Sequence, residues 1–87
     1  MNKEEMPNFL YEIISELDSP EAVKNLFIDL CTYKEIENMA QRLYAAKLLS
    51  EGKTYQEVTE ACSISSATLS RVSRSLQYGS GYRSIFK

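Results

Sequence analysis

Ser66, Ala67, Ser70, Arg71 and Arg74 combine small size, hydroxyl groups and guanidinium groups at the spacing of one helical face. Small residues let a helix backbone approach the base edges of a duplex, while hydroxyls and guanidinium groups hydrogen-bond bases or phosphates. Other chemistries find little support. The chain has no histidine and two cysteines, Cys31 and Cys62, too few ligands for a zinc site. Both cysteines fall in apolar patterns and read as free buried thiols. There is no glycine-rich phosphate loop and no cysteine with a basic partner nearby in sequence, and the carboxylates sit mostly on solvated helix faces. We expect no catalysis and no metal.

The elements that position these side chains occupy residues 54–76. Thr54 with Glu57 forms a capping box at a helix start. Val58, Ala61 and Cys62 then repeat at i, i+3 and i+4 as one apolar stripe. Ile64 is the apolar residue of the break, and Ser65 is an N-cap for a second helix whose inward face is Leu69, Val72 and Leu76. The pattern predicts a DNA-binding helix-turn-helix, against the alternative of a plain helical hairpin with a solvated Ser/Arg face. Ser63 lies in the turn, where such motifs usually carry glycine. Either it takes positive φ at some cost, or the turn has another form.

The 87 residues suffice for a single domain with a thin core. Charge is divided unevenly. Residues 1–60 hold all 12 acidic groups beside six basic ones, a formal −6; residues 61–87 hold only Arg71, Arg74, Arg83 and Lys87, which brings the whole to −2. Positive potential therefore accompanies the expected recognition helix. No apolar run reaches the ~20 residues of a membrane span, and no signal peptide is evident, so a cytoplasmic location is expected.

Upstream, residues 1–6 are expected to fray. Pro7 opens a first helix over about 8–18, with Leu10, Ile13, Ile14 and Leu17 inward. Ser19, Pro20 and Glu21 start a second, running to about Cys31 with Val23, Leu26, Phe27 and Leu30 inward. Thr32 with Glu35 starts the longest, about 33–50, ended by Gly52. Its Ile36, Met39, Ala40 and Leu43 face one way, and Tyr44, Leu48 and Leu49 widen the apolar surface. So much apolar surface on so short a chain favours an interleaved homodimer over a compact monomeric bundle. Residues 77–81 read as a flexible break, 82–87 as one further helical turn, with Tyr78, Tyr82, Ile85 and Phe86 against a partner subunit. The expected architecture is all-α, with five main helices and a short sixth: a dimerisation core at 8–52, the helix-turn-helix at 54–76 and a tail at 77–87.

The segments LCTYKEIENMAQRLYAAKLLSEGKTYQEV and ATLSRVSRSL resemble the tryptophan repressor family, and more closely its TrpR-like YerC/YecD branch, over about residues 8–80. The resemblance implies an intertwined all-helical homodimer that binds double-stranded DNA through two successive major grooves and regulates transcription, as a repressor. By position it implies that Ser66, Ala67 and Ser70 face bases and that Gln56 and Thr59 meet the operator or its backbone. It also implies a small amino-acid-like corepressor held by Arg42 and Arg71, with Thr32 contributing from the neighbouring chain. The family's tryptophan-binding members carry glycine directly after the arginine matching Arg71. Val72 stands there instead and takes up volume an indole needs, which argues against tryptophan. Arg42 can equally serve in an ion pair with Glu35 or Glu37, and Arg71 in phosphate contact alone. The runner-up function is a helical dimer that serves as a protein-interaction module without operator binding.

Overall fold

A computed structural model describes residues 1–86; Lys87, which closes the basic segment and the expected last turn, lies outside the described residues. The described residues are all-α, with six helices and no strand. They divide into two compact units, with the boundary after Tyr33.

The first unit holds α1 (Met6–Ser15) and α2 (Pro20–Leu30). α1 starts and stops earlier than the sequence pattern suggests. Its start is set by Asn2: the Glu5 N–H donates to Asn2 Oδ1 at 2.9 Å, and the Met6 N–H to the Asn2 carbonyl at 3.2 Å. The segment expected to fray is thus a turn leading into the helix. At the other end the Glu16 and Leu17 N–H groups bond three residues back, to Ile13 and Ile14 at 3.2 and 3.1 Å. That tightened last turn releases the chain before Pro20, whose ring disfavours helical geometry in the residue it follows. α2 begins as expected, with Ser19 Oγ accepting from the Ala22 N–H at 3.1 Å and Pro20 in the first turn.

Neither helix has a buried side chain. Leu10, Ile13, Ile14, Leu17, Val23, Leu26 and Phe27 are half-buried as the inward stripes require. Leu30, expected inward, is exposed, and Cys31, expected buried, is half-buried. Two short helices offer each other too little apolar surface to enclose all of these groups.

The second unit contains α3 (Tyr33–Ser50), whose first residue falls in the first unit, then α4 (Tyr55–Cys62), α5 (Ser66–Tyr78) and α6 (Gly81–Ile85). Its core is Ala45, Ala46, Leu48, Val58, Cys62, Ile64, Leu69 and Val72, with Leu49, Tyr82 and Phe86 packed against it. On α3, Ala45, Ala46 and Leu48 face this core with Leu49 at its edge, whereas Ala40, Leu43 and Tyr44 are exposed and Ile36 and Met39 half-buried, on the apolar surface expected to be shared between subunits. The fully enclosed Ala45 and Ala46 share this core with the larger Val58, Leu69 and Val72. α3 ends in a Schellman motif: the Lys53 N–H reaches the Leu48 carbonyl at 3.1 Å and the Gly52 N–H that of Leu49 at 3.0 Å, with Gly52 at φ +88°.

The break expected at 77–81 is shorter. α5 continues to Tyr78, α6 begins at Gly81, and Gly79 and Ser80 alone separate them. A Cβ on Gly79 would stand 2.7 Å from the Ser75 carbonyl oxygen, so glycine lets the chain leave the helix at once. Tyr82 and Phe86, half-buried, pack on their own chain's core, and Tyr78 and Ile85 are exposed. No helix among the described residues is long and apolar enough to cross a membrane.

Candidate nucleic-acid interface

α4 is anchored at its start by a reciprocal pair. Thr54 Oγ1 accepts from the Glu57 N–H at 3.2 Å, and the Thr54 N–H donates to Glu57 Oε1 at 3.0 Å. The backbone hydrogen bond from Thr54 holds the Glu57 carboxyl below its ordinary pKa, because it favours the charged form. Val58 and Cys62 bury the inner side of α4, and burial pushes the Cys62 thiol pKa up. Ala61, expected in the same stripe, is exposed, because the core contacts of this two-turn helix are met by Val58 and Cys62. Gln56 and Thr59 are exposed on the outer side. The Thr59 hydroxyl donates to the Tyr55 carbonyl at 2.8 Å, and the Gln56 amide lies 3.4 Å from Glu60 Oε1.

Ser63 makes the turn in the left-handed conformation, φ 53°, ψ 41°, and its N–H bonds to the Thr59 carbonyl. Of the two possibilities for a non-glycine turn, the chain adopts the strained one. Ile64 then drops into the core, only 6% exposed, and pins the turn. Ser65 caps α5, its Oγ accepting from the Thr68 N–H at 3.2 Å.

Along α5, Leu69 and Val72 are buried and Leu76 half-buried. Ser66, Ala67, Ser70, Arg71 and Arg74 are all exposed. At roughly 100° per residue, these five occupy an arc of roughly 140° on the side opposite Leu69, Val72 and Leu76. Nothing acidic follows Glu60 in the chain. The outer face of α5 thus offers hydroxyls, a methyl and two guanidinium groups; Lys53 and Arg83 are further exposed cations.

A second arrangement lies beside α5. Arg42 from α3 and Arg71 and Val72 from α5 line one cleft of about 220 Å³, completed by Thr68, Ser75 and Tyr82. Among the described residues Arg42 makes no ion pair; Glu37, one partner considered for it, pairs with Lys34 at 3.4 Å. Val72 is 2% exposed, so its side chain occupies core volume next to the cleft. Thr32 is exposed and belongs to the first unit. Sequence reasoning missed Thr68 and Ser75, although their spacing from Arg71 and Val72, three to four residues, puts them on the same side of α5. It missed Tyr82 as well, because the turn at Gly79 brings that ring in.

These features define an all-α helix-turn-helix protein. The chain belongs to the Trp repressor protein family, whose family model it matches over residues 5–87. It is similar to the uncharacterized protein YerC of Bacillus subtilis (strain 168), 44% identical over 70 residues, 80% of this chain and 67% of that protein. It also superposes on a crystal structure from Staphylococcus aureus, provisionally described as a Trp repressor, with a TM-score of 0.86 and 38% identity over 98% of this chain and 90% of that one. The resemblance to the YerC branch is therefore established at the level of family, which is one of DNA-binding regulators of transcription and not of enzymes.

Proposed function

We propose that the protein is a sequence-specific transcriptional repressor that acts as a homodimer in the cytoplasm and places α5 in the major groove of double-stranded DNA. The observation that carries this reading is the outer face of α5, where exposed small and basic side chains stand opposite the apolar face of Leu69, Val72 and Leu76. Ser66, Ala67 and Ser70 face bases; Arg71, Arg74, Arg83 and Lys53 meet phosphates; Gln56 and Thr59 approach the operator from α4.

The homodimer is supported by apolar surface with no cover. Phe9, Tyr11, Ile28 and Leu30 are 52, 63, 56 and 52% exposed, and α1 and α2 bury nothing completely. In this reading residues 8–52 form the dimerisation core, residues 54–76 the reading head and residues 77–87 the tail. The heads operate without a corepressor, since Val72 fills part of the volume a ligand between Arg42 and Arg71 would need. Should a small amino-acid-like ligand bind, Arg42, Arg71 and Thr32 of a neighbouring copy are the groups to hold it.

The test is selection of bound fragments from genomic DNA by the purified protein, with and without an amino-acid mixture. The expected product is a palindrome with half-sites about one helical turn, ~34 Å, apart, selected equally in both conditions. Absence of any bound fragment at low salt, with a protein partner retained in its place, would favour the interaction-module reading.

A further inference from the structure

α6 does not hang free at the end of α5. Tyr82 is half-buried, packs on the core of the second unit, and forms part of the wall of the cleft lined by Arg42, Arg71 and Val72. The route from α5 to α6 is tight. The Gly79 N–H donates to the Ser75 carbonyl at 2.8 Å, and any Cβ at Gly79 would collide with that same oxygen. The Arg83 guanidinium, one residue beyond Tyr82, reaches back to the Gln77 carbonyl in the last turn of α5 at 3.4 Å.

α5 is held to the core by Leu69 and Val72, both in its first two turns, while Leu76 further along is only half-buried. Anchors confined to one end leave a helix free to roll and to lift at the other. A ring packed on the core, in the wall of the cleft that Arg71 and Val72 also line, opposes both motions. We propose that Tyr82 is a positioning residue for the recognition helix: its ring, brought back by the turn at Gly79, sets the angle at which the outer face of α5 is presented. The cleft thereby carries an aromatic group supplied by the chain itself.

The experiment compares the full-length protein with Tyr82→Ala and Tyr82→Phe. Two quantities are read: amide hydrogen exchange along α3, α4 and α5 without DNA, and affinity for the duplex that the unaltered protein most enriches from a randomised library. In Tyr82→Ala, amides in the last two turns of α5 exchange faster by roughly tenfold while those of α3 and α4 keep their protection. Affinity for the duplex falls by roughly tenfold. Tyr82→Phe, which keeps the ring, restores both.

Unchanged exchange in α5, or unchanged affinity despite faster exchange, overturns the proposal. So does protection lost equally from α3, α4 and α5, which would make Tyr82 a general folding residue, or a phenylalanine variant as impaired as the alanine one. The affinity measurement rests on the DNA-binding reading above, whereas the exchange measurement does not. If the unaltered protein enriches no duplex, that reading fails, and exchange alone decides the role of Tyr82.

Discussion

Arg42 on α3 and Arg71 on α5 face one cleft from two helices, and none of the residues that complete its wall is a carboxylate. Two like charges near one another are tolerated here because both side chains are exposed and screened by water. Arg71 also belongs to the exposed face that α5 offers to DNA. It is therefore the one side chain common to the cleft and to the proposed groove contact.

Replacing Arg71 and Arg74 together by alanine should weaken binding to every duplex, specific or not. Phosphate contacts contribute without regard to sequence, and each one lost makes the negative slope of log affinity against log salt shallower by about 0.9. Fluorescence anisotropy across a salt series reads this directly. An unchanged slope removes both arginines from the interface.

Val72 allows a test of ligand-free operation. Millimolar L-tryptophan should leave the melting temperature of the unaltered protein unmoved, since binding stabilises only when ligand exceeds its dissociation constant. Val72→Ala should cost about 2 kcal/mol through lost burial and an unfilled cavity. With that volume opened, tryptophan should raise the melting temperature of the variant more than that of the parent. A clear tryptophan-dependent rise in the parent would contradict ligand-free action.

Ser63 holds a left-handed conformation that costs an L-residue about 1 kcal/mol or more, and glycine escapes most of that. Ser63→Gly should accordingly raise stability by roughly 0.5–1 kcal/mol, and Ser63→Val should lower it by roughly 1–2 kcal/mol. Urea unfolding midpoints give both values. Equal midpoints for glycine and serine would mean that the turn relaxes in solution.

The capping box of α4 predicts a dependence on pH. The fold depresses the Glu57 pKa, so it stabilises the charged carboxylate. That contribution is complete above the ordinary carboxylate pKa and is lost as pH falls through the depressed value. Glu57→Gln should flatten the stability profile between neutral pH and roughly pH 3 relative to the parent. Thr54→Ala should cost about 1 kcal/mol at neutral pH. Chemical denaturation at a series of pH values separates the two effects.

Most of the helix-turn-helix was legible in the sequence, Ala61 being an exception. Thr54 with Glu57, Ser65 as an N-cap, and the alternation of Leu69 and Val72 with Ser66, Ser70 and Arg74 all act across three or four positions, within one helix turn. Which part of α3 faces the chain's own core was not legible. Ala45 and Ala46 carry little hydrophobic signal, and Leu43 and Tyr44 carry more, yet the alanines are enclosed and the larger residues exposed. A small side chain can be enclosed completely while contributing little apolar surface, which a count of apolar residues does not register.

By itself, the sequence determined where most of these helices begin, that the chain is all-α, and which side of α5 is polar and basic. Capping and helical periodicity are local, so neighbouring residues suffice to decide them. Only the tertiary structure decided that Arg42, Arg71 and Tyr82 share one cleft, that Ser63 turns through a left-handed conformation, and that α6 folds back on its own core. Those outcomes depend on side chains far apart in the chain competing for the same small volume, and no local pattern encodes the winner.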